Sequence, residues 1–357
     1  MKDNNGGRVT AIIPARNEEA NIARVVRSVA AQEGILEVLV VDDHSEDRTA
    51  EILEGLKSEI PKLRTIHIAG PPEGWTGKSY AVSTASKMAS GAWLLFTDAD
   101  TEHQPGSLVV LLARAQAEGA ELLSISPGQR TPTWWESAVI PLVYVHLARL
   151  YKFEEVSNPH SPAAAANGQY VLIRREAYER VGGHEAVRGA ILEDVELARR
   201  VKAAGGRLLF LPGAEWVQTR MYRSLSEMWR GWTKNLYLLY GQSVARMLRT
   251  LTELWLLDLL PTLGLLALGA VLATGLGGLP VLLATLACFV VAVWRQWSYS
   301  KALGRIGFEP RLASYQPLGA GVFGLLLLNS ARAYRLGGKV HWKGREYSTP
   351  GITKGTR

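Results

Sequence analysis

Acidic side chains follow three apolar runs of the chain, and their type and spacing suit metal-assisted phosphate chemistry. The first run ends at Pro14 and leads into Arg16–Glu19, the second leads into Asp42–Asp47, and the third leads into Asp98–Asp100. Carboxylates that gather in one place repel each other unless a cation or a hydrogen-bond donor accompanies them. Hard divalent cations bind oxygen ligands and are often shared with phosphate groups. We therefore expect Mg²⁺ or Mn²⁺ together with a phosphate-bearing substrate.

A further acidic pair, Glu193 and Asp194, opens an amphipathic stretch with helical spacing. A carboxylate on the first turn of that helix can accept a proton from a hydroxyl nucleophile, which makes Asp194 a candidate general base. A structural interpretation exists as well, because acidic residues stabilise helix N-termini and an aspartate after a strand is a common helix cap. The occurrence of all these acidic groups in one chain favours catalysis over capping.

The segment Gly74–Ser79 ends in Gly-Lys-Ser, as a nucleotide-binding P-loop does. The P-loop pattern requires a glycine five residues before Gly77, and that position is Pro72. Proline lacks the backbone N–H and the φ freedom that the phosphate cradle needs. A P-loop NTPase is therefore kept only as an alternative, while Lys78 is predicted to contact a phosphate by charge attraction.

Two tryptophans flank an arginine in the segment Met228–Lys234. Arg230 can pair with phosphate, and Trp229 and Trp232 can stack on a sugar or lie at a membrane interface. The helix-like segment 134–144 also has two interpretations. It lies at the membrane interface, or it packs in the core. Basic residues between 220 and 249 adjoin the predicted membrane segments, so we expect them to face anionic lipid and not nucleic acid.

The elements that must position these residues form an α/β pattern as far as about residue 212. Strands are predicted near 9–13, 37–41, 65–69, 92–97, 121–125, 170–173 and 207–211. Several of them are continuous apolar runs, which is typical of strands covered by helices on both faces. A mostly parallel, Rossmann-like sheet follows, and ligands bind such a sheet at the carboxyl ends of its strands. The three acidic clusters are therefore expected to converge there.

Composition excludes several classes of protein. The 357 residues are 47% hydrophobic and 20% charged, which is not a disordered composition. A single cysteine, Cys288, excludes an intrachain disulfide and any zinc cluster built on several cysteines. The net charge of +7 suits anionic lipid or a phosphate-bearing substrate. No signal peptide is expected, because the polar first eight residues lead directly into the first strand.

After about residue 250 the chain becomes nearly free of charge. About 20 residues of helix cross the roughly 30 Å hydrocarbon core, and segments 254–275, 279–297 and 312–333 approach or exceed that length. We predict two to three membrane spans within 251–335, interfacial amphipathic helices over 213–250 and a basic tail over 336–357. The catalytic part, 1–212, is placed in the cytoplasm. A third full crossing would then put the basic tail outside, against the positive-inside tendency.

These motifs together resemble the inverting glycosyltransferases of family 2, which have a GT-A catalytic domain. The similarity covers residues 9–235 and rests on Ile13–Glu19, Val41–Thr49, Asp98–Asp100 and Glu193–Asp194. Gly74–Lys78 and the hydrophobic C-terminal part are similar to the branch that glycosylates hopanoids, carotenoids and ceramides. The resemblance implies a nucleotide-sugar donor, a lipid acceptor and attachment to the cytoplasmic membrane by several spans.

The resemblance also implies a role for individual residues. Asp42 or Asp43 would bind the nucleoside base, Asp98 and Asp100 the metal, and Asp194 would be the general base. Further contacts are expected for two groups. The donor-binding group comprises Pro14, Arg16, Asn17, Glu18, Asp42, Asp43, Lys78, Asp98 and Arg230. The group near the donor sugar or acceptor comprises Asn167, Gly168, Gln169, Glu193, Trp229 and Trp232.

The chain departs from the processive synthases of this family, which carry a Q-x-x-R-W motif. Residues 218–223 do not satisfy that motif, and Trp229–Trp232 occupies a similar place. The expected reaction is therefore the transfer of one sugar to a membrane lipid. A catalytically silent, GT-A-like membrane module is the alternative from another class. The retention of Asp98, Asp100 and Asp194 argues against it.

Overall fold

A computed structural model describes residues 8–336 and 339–348, so Lys354 and Arg357 of the predicted basic tail lie outside the described residues. The chain divides into two compact units. The first comprises residues up to 130 together with 151–221, and the second comprises 131–150 and the residues from 222 onward. These divisions do not coincide with the boundary predicted at residue 212, because residues 131–150 join the second unit and the last strand of the first unit continues to Thr219.

The strands are short and mostly apolar. They are β1 (Val9–Ala15), β2 (Ile35–Asp43), β3 (Leu63–Ile68), β4 (Trp93–Phe96), β5 (Thr101–His103), β6 (Leu122–Gln129), β7 (Val171–Arg174), β8 (Leu208–Thr219), β9 (Lys339–Trp342) and β10 (Arg345–Ser348).

The α-helices alternate with strands in the first unit and follow one another in the second. They are α1 (Ile22–Ala30), α2 (Thr49–Glu59), α3 (Gly77–Ser86), α4 (Ser107–Ala117), α5 (Trp134–Leu150), α6 (Phe153–Ser157), α7 (Arg175–Arg180), α8 (Glu193–Ala203), α9 (Leu225–Leu239), α10 (Val244–Thr252), α11 (Leu260–Ala273), α12 (Leu279–Arg305) and α13 (Gln316–Arg335). A π-helical segment, Glu253–Leu259, joins α10 to α11.

The first unit is built on one eight-stranded sheet in the order β3-β2-β1-β4-β7-β6-β8-β5. Strands β3, β2, β1 and β4 are parallel, whereas β7 runs antiparallel to both of its neighbours. Separate apolar clusters bury the two faces of the sheet. The predicted α/β class with a mostly parallel sheet is therefore confirmed, and the parallel strands bring their carboxyl ends to one edge.

Two elements were absent from the sequence-based expectation. Strand β5 has the sequence Thr-Glu-His and pairs with the end of β8. It contains no apolar run, so hydrophobic patterning cannot detect it. The hairpin of β9 and β10 lies within the segment that we had predicted as a basic tail.

In the second unit, two helices are long and apolar enough to cross a membrane. They are Val244–Ala273, which includes α10, the π-helical segment and α11, and Leu279–Arg305, which is α12. Only 11% and 0% of their most apolar windows are buried within the protein. The apolar side chains of α11 and α12 therefore face outward, as lipid-facing side chains do.

The third predicted span, 312–333, is not among these candidates. Helix α13 covers most of it and packs against α5 and α9, with Phe323, Leu326 and Leu327 fully buried. A Cβ atom at Gly319 would collide with the backbone carbonyl of Ala138, so α5 and α13 approach closely at that point. Packing within the unit thus buries one side of α13, while Leu318, Leu325 and Leu328 are exposed. In the segment 134–144, residues 136–143 are buried, whereas Trp134 is 54% exposed.

Candidate active site

The loop after β1 is held against the loop after β2 by side-chain hydrogen bonds. Arg16 donates through Nη1 to the carbonyl oxygen of Asp43 at 2.7 Å. Asn17 accepts from the backbone N–H of Glu46 at 2.8 Å and donates its own N–H to Ser45. These bonds explain why both loops are rich in polar residues. Arg16 and Asn17 therefore shape the edge that the sequence assigned to nucleotide binding.

The two aspartates at the end of β2 differ in their surroundings. Asp42 accepts from the backbone N–H of Ser45 at 3.2 Å through Oδ1, and its Oδ2 lies 3.1 Å from Nδ1 of His67. Both of its oxygens are thus engaged by the protein. Asp42 and Asp43 are each 4% exposed. Whether Asp42 or Asp43 contacts a nucleoside base remains a prediction.

The loop after β4 carries the predicted metal ligands Asp98 and Asp100. Its geometry is set by Thr97, whose hydroxyl donates to the carbonyl oxygen of Gln169 at 2.8 Å and also contacts the side chains of Thr101 and His103. Burial lowers the pKa of His103 to about 3, so its ring is neutral. The buried hydrogen bonds of Thr97, together with the neutral ring of His103, hold the Asp98–Asp100 loop in place.

Lys78 lies on the first turn of α3 and bridges two of the predicted site carboxylates. Its Nζ atom lies 2.7 Å from Oδ1 of Asp98 and 2.8 Å from Oε1 of Glu193. Burial alone would lower the pKa of Lys78, but the carboxylates of Asp98, Glu193 and Asp194 raise it well above its usual value. The lysine is therefore a cation at the centre of an acidic cluster.

A short turn before β7, Asn167–Gln169, approaches the same cluster. The side chain of Asn167 accepts from the backbone N–H of Gln169 at 3.0 Å, and the buried Gln169 side chain contacts Gln129 and Thr219. These bonds fix the turn so that Gly168 donates its N–H to Oδ2 of Asp194 at 2.6 Å. The side chains of Asn167 and Gln169 thus position the backbone N–H of Gly168 against Asp194.

Asp194 is half-buried at the start of α8. Its Oδ1 accepts from the backbone N–H of Val195, the next residue in the first turn of the helix, at 2.8 Å. Burial raises the pKa of Asp194, and the neighbouring Glu193 raises it further. The charge of Lys78 and the two backbone N–H donors oppose that rise, and the resulting pKa is about 6. A carboxylate with a pKa near neutrality is suited to general-base chemistry.

These groups line one small cleft at the strand ends. The cleft is lined by Pro14, Lys78, Val82, Phe96, Thr97, Asp98, Gly168, Val171, His184, Glu193, Asp194 and Leu197. The predicted residues Pro14, Lys78, Asp98, Gly168, Glu193 and Asp194 are thus brought together, while Glu18 lies in the loop after β1 and donates its N–H to Thr49. Our predicted site set omitted Phe96 and His184. For His184 the sequence signal was the segment Gly182-Gly183-His184, which resembles the segment before the base motif in the family. For Phe96 it was the end of the apolar run that precedes Asp98.

The donor set at the end of β4 fits a divalent cation that is shared with a substrate. Asp98 and Asp100 supply carboxylate oxygens, which Mg²⁺ and Mn²⁺ prefer. Within residues 8–336 and 339–348, no group of three or more His, Cys, Asp or Glu side chains is arranged to hold a metal. Mg²⁺ is commonly held by one or two carboxylates plus substrate phosphates, so two carboxylates are sufficient for such a shared site.

Three predicted site residues belong to α9 in the second unit. Arg230 is exposed and Trp229 is partly exposed, whereas Trp232 is 4% exposed and packs edge-on against Tyr144 and Tyr222. Their predicted contacts with donor or acceptor remain predictions.

Comparison with known proteins agrees with this geometry. A family model described as Glycosyl transferase family 2 matches residues 10–182. That range contains Lys78, the Asp98–Asp100 loop and the Asn167–Gln169 turn.

Curated relatives are similar over nearly the whole chain. The 4,4'-diaponeurosporenoate glycosyltransferase of Staphylococcus haemolyticus (strain JCSC1435) is 26% identical over 354 residues, which cover 95% of this chain and 88% of the relative. The protein of the same name from Staphylococcus aureus (strain USA300) is 27% identical over 349 residues, with the same coverage.

Among solved structures, a mannosyltransferase from Pyrobaculum calidifontis in complex with GDP-Man and Mn²⁺ is similar in fold. The TM-score is 0.52 at 21% sequence identity, and the match covers 89% of this chain and 87% of the other. At that identity the likeness concerns the fold, which is the expected GT-A fold. Residues 10–182 thus form a glycosyl transferase family 2 domain, and the protein is a glycosyltransferase.

Proposed function

We propose that the protein transfers one sugar from a nucleoside-diphosphate sugar to a carotenoid-type lipid, with inversion at the anomeric carbon. The observation that carries the proposal is the meeting of Asp98, Lys78 and Asp194 in one cleft of a family 2 domain. The acceptor class is taken from the names of the curated relatives, both of which are diaponeurosporenoate glycosyltransferases.

Asp194 would act as the general base. Its carboxylate takes the proton of an acceptor hydroxyl while the acceptor oxygen attacks the anomeric carbon and the nucleoside diphosphate leaves. The N–H of Gly168 orients the carboxylate through its Oδ2 atom. Such a single displacement inverts the anomeric configuration.

Asp98 and Asp100 would hold Mg²⁺ or Mn²⁺, which neutralises charge on the leaving diphosphate when it is bound. Asp42 or Asp43, the last two residues of β2, would contact the nucleoside base. Arg16 orders the loop next to Asp43 through its hydrogen bond to the Asp43 carbonyl oxygen.

The experiment is a measurement of nucleoside-diphosphate release by the detergent-purified protein. A panel of nucleotide sugars is tested with and without Mg²⁺ or Mn²⁺ and with and without carotenoid or mixed lipid extract. The proposal expects release that requires both metal and lipid. With a hydroxyl-bearing lipid as the acceptor, release should collapse in Asp194→Asn, because the base is then needed to remove the hydroxyl proton. Glu196→Gln is the matched control, because Glu196 lies on the same helix and is 38% exposed. Equal release from the wild type and Asp194→Asn would contradict the proposed base.

We further propose that helices Val244–Ala273 and Leu279–Arg305 both span the cytoplasmic membrane. Two crossings return the chain to its starting side, so the N-terminal domain and the basic residues Arg335, Lys343 and Arg345 would all be cytoplasmic. This arrangement satisfies the positive-inside tendency that a third crossing would violate.

Cysteine labelling tests this topology. In a Cys288→Ser background, Leu276→Cys in the connection between the two helices should react with a membrane-impermeant maleimide added to intact cells. Leu276 is 83% exposed, so labelling is not limited by packing. A cysteine at exposed Arg305 should react only after the cells are opened. Labelling of both positions from the same side would contradict the two-span topology.

A further inference from the structure

The ammonium group of Lys78 lies among the acidic side chains of the cleft. It contacts the carboxylates of Asp98 and Glu193 at 2.7 and 2.8 Å, and the charge of Asp194 acts on it as well. Three carboxylates surround this one ammonium group. Lys78 is therefore a counter-ion to these acidic residues.

The position of Lys78 is defined by packing as well as by charge. A Cβ atom on residue 168 would lie 2.5 Å from Nζ of Lys78, so only glycine leaves room for the ammonium group there. The same glycine binds Asp194 through its backbone N–H. Gly168 thus borders both the lysine and the candidate base.

The two ion pairs of Lys78 differ in burial. The side chain of Glu193 is 8% exposed, whereas that of Asp98 is 30% exposed. A buried carboxylate that loses its cation is strongly destabilised, while a partly exposed one can exchange its partner for another cation. Lys78 also has a flexible four-carbon stem, so its ammonium group can leave Asp98 while it stays paired with Glu193.

We infer that Lys78 is an exchangeable counter-ion that competes with the divalent cation for Asp98, and that Glu193 positions Lys78 during this exchange. The inference rests on the proposed role of Asp98 as a metal ligand. When a cation binds Asp98, the ammonium group is released from that carboxylate and remains anchored by Glu193. It is then available to the phosphate oxygens of the donor. Lys78 and Glu193 are thus positioning residues at the metal site.

The inference is tested by titrating Mn²⁺ into the detergent-purified full-length protein without donor and following free Mn²⁺ by electron paramagnetic resonance. Lys78→Met should bind Mn²⁺ about tenfold more tightly than the wild type, because the competing charge-assisted hydrogen bond to Asp98 is gone. Gly168→Ala displaces the ammonium group without any change in charge, so it should also bind Mn²⁺ more tightly. This second variant decides the matter if Lys78→Met does not fold.

Lys87→Met is the matched control, because Lys87 forms an exposed pair with Glu185 at 3.5 Å. Its Mn²⁺ affinity should equal that of the wild type. Unchanged or weaker Mn²⁺ binding in folded Lys78→Met and Gly168→Ala would overturn the inference.

Asp98→Asn distinguishes a failure of the metal assignment from a failure of the competition by Lys78. If Asp98→Asn abolishes Mn²⁺ binding while Lys78→Met leaves it unchanged, competition by Lys78 is wrong and Asp98 remains the proposed ligand. If Asp98→Asn leaves Mn²⁺ binding intact, the metal assignment fails, and the inference fails with it. Sugar transfer by the wild type, measured separately, reports on the proposed function itself.

Discussion

The backbone N–H of Gly168 donates a 2.6 Å hydrogen bond to Oδ2 of Asp194. This bond joins the turn before β7 to the first turn of α8, two elements that are 26 residues apart in the chain. Because the donor is a backbone group, it remains when side chains on the turn are changed. The orientation of Asp194 therefore depends on the conformation of the Asn167–Gln169 turn more than on any one side chain of that turn.

Replacement of Asp194 by asparagine should remove the general base and preserve the hydrogen bond from Gly168. The asparagine Oδ1 can still accept from Gly168, which retains the turn, while the bond from the Val195 N–H to the second carboxylate oxygen is lost. We expect kcat/KM for a hydroxyl acceptor to fall by about 10²–10⁴-fold. Steady-state transfer assays measure this loss, with Glu196→Gln as the unaffected control. A folded Asp194→Asn protein with wild-type rates would show that another group takes the proton.

The size of that loss should depend on the acceptor. A carboxylic-acid acceptor, as the names of the curated relatives suggest, is already ionised near neutral pH and needs no base. With such an acceptor Asp194→Asn should lose much less activity than with a hydroxyl acceptor. Parallel assays with a carotenoid acid and a carotenoid alcohol make the comparison. Equal losses with both would assign Asp194 a role other than proton transfer.

The pH dependence of transfer to a hydroxyl acceptor should show one acidic limb. The pKa of Asp194 is raised to about 6, chiefly by burial. Below that pH the carboxyl group is protonated and cannot accept a proton, so kcat/KM should fall about tenfold per pH unit as the pH drops below about 6. Above pH 6 the limb should level off. A profile that stays flat down to pH 5 would contradict this assignment.

A charged cluster in the second unit should be important for stability. Arg295 pairs with Glu253 at 2.8 Å and with Asp258 at 2.6 Å, and Gln316 donates to the same Asp258 oxygen at 2.9 Å. Arg295→Met leaves the buried carboxylate of Asp258 without its cation, while Glu253 stays paired with Arg149 at 2.6 Å. We expect a loss of about 3–5 kcal/mol in the free energy of unfolding.

Thermal unfolding in detergent measures this effect as a lower Tm. Arg305→Met on the same helix is the control, because Arg305 is exposed. The double variant Arg295→Met, Asp258→Asn should recover much of the loss, since it removes both members of the buried pair and leaves Glu253 paired with Arg149. A single variant as stable as the wild type would show that the cluster contributes little.

The approach of α5 to α13 should not tolerate a side chain at Gly319. A Cβ atom there would overlap the carbonyl oxygen of Ala138, which belongs to the backbone and cannot move aside cheaply. Gly319→Ala should therefore destabilise the second unit by about 1–3 kcal/mol. Gly321→Ala on the same helix is the comparison, because its Cβ would lie at an ordinary 3.9 Å from Leu259. Equal Tm values for the two variants would contradict this packing argument.

The sequence alone was sufficient for the fold class and for half of the residues that line the cleft. Apolar runs with alternating amphipathic helices predict a parallel sheet, and parallel strands bring residues at their carboxyl ends together. That rule predicts Asp98 near Pro14 from the sequence alone. The pair Glu193–Asp194 is identified from its position at the start of a predicted helix.

Other properties depended on the tertiary structure. Hydropathy could not distinguish a lipid-facing helix from a buried one, so α13 resembled a membrane span until its contacts with α5 and α9 were seen. The sequence marked Lys78 as a phosphate ligand, but the fold places it between Asp98 and Glu193. Lys78, Asp98 and Glu193 are far apart in the chain. Only the folded sheet and helices bring the two carboxylates within 3 Å of the Lys78 ammonium group, so their charge balance depends on the tertiary structure.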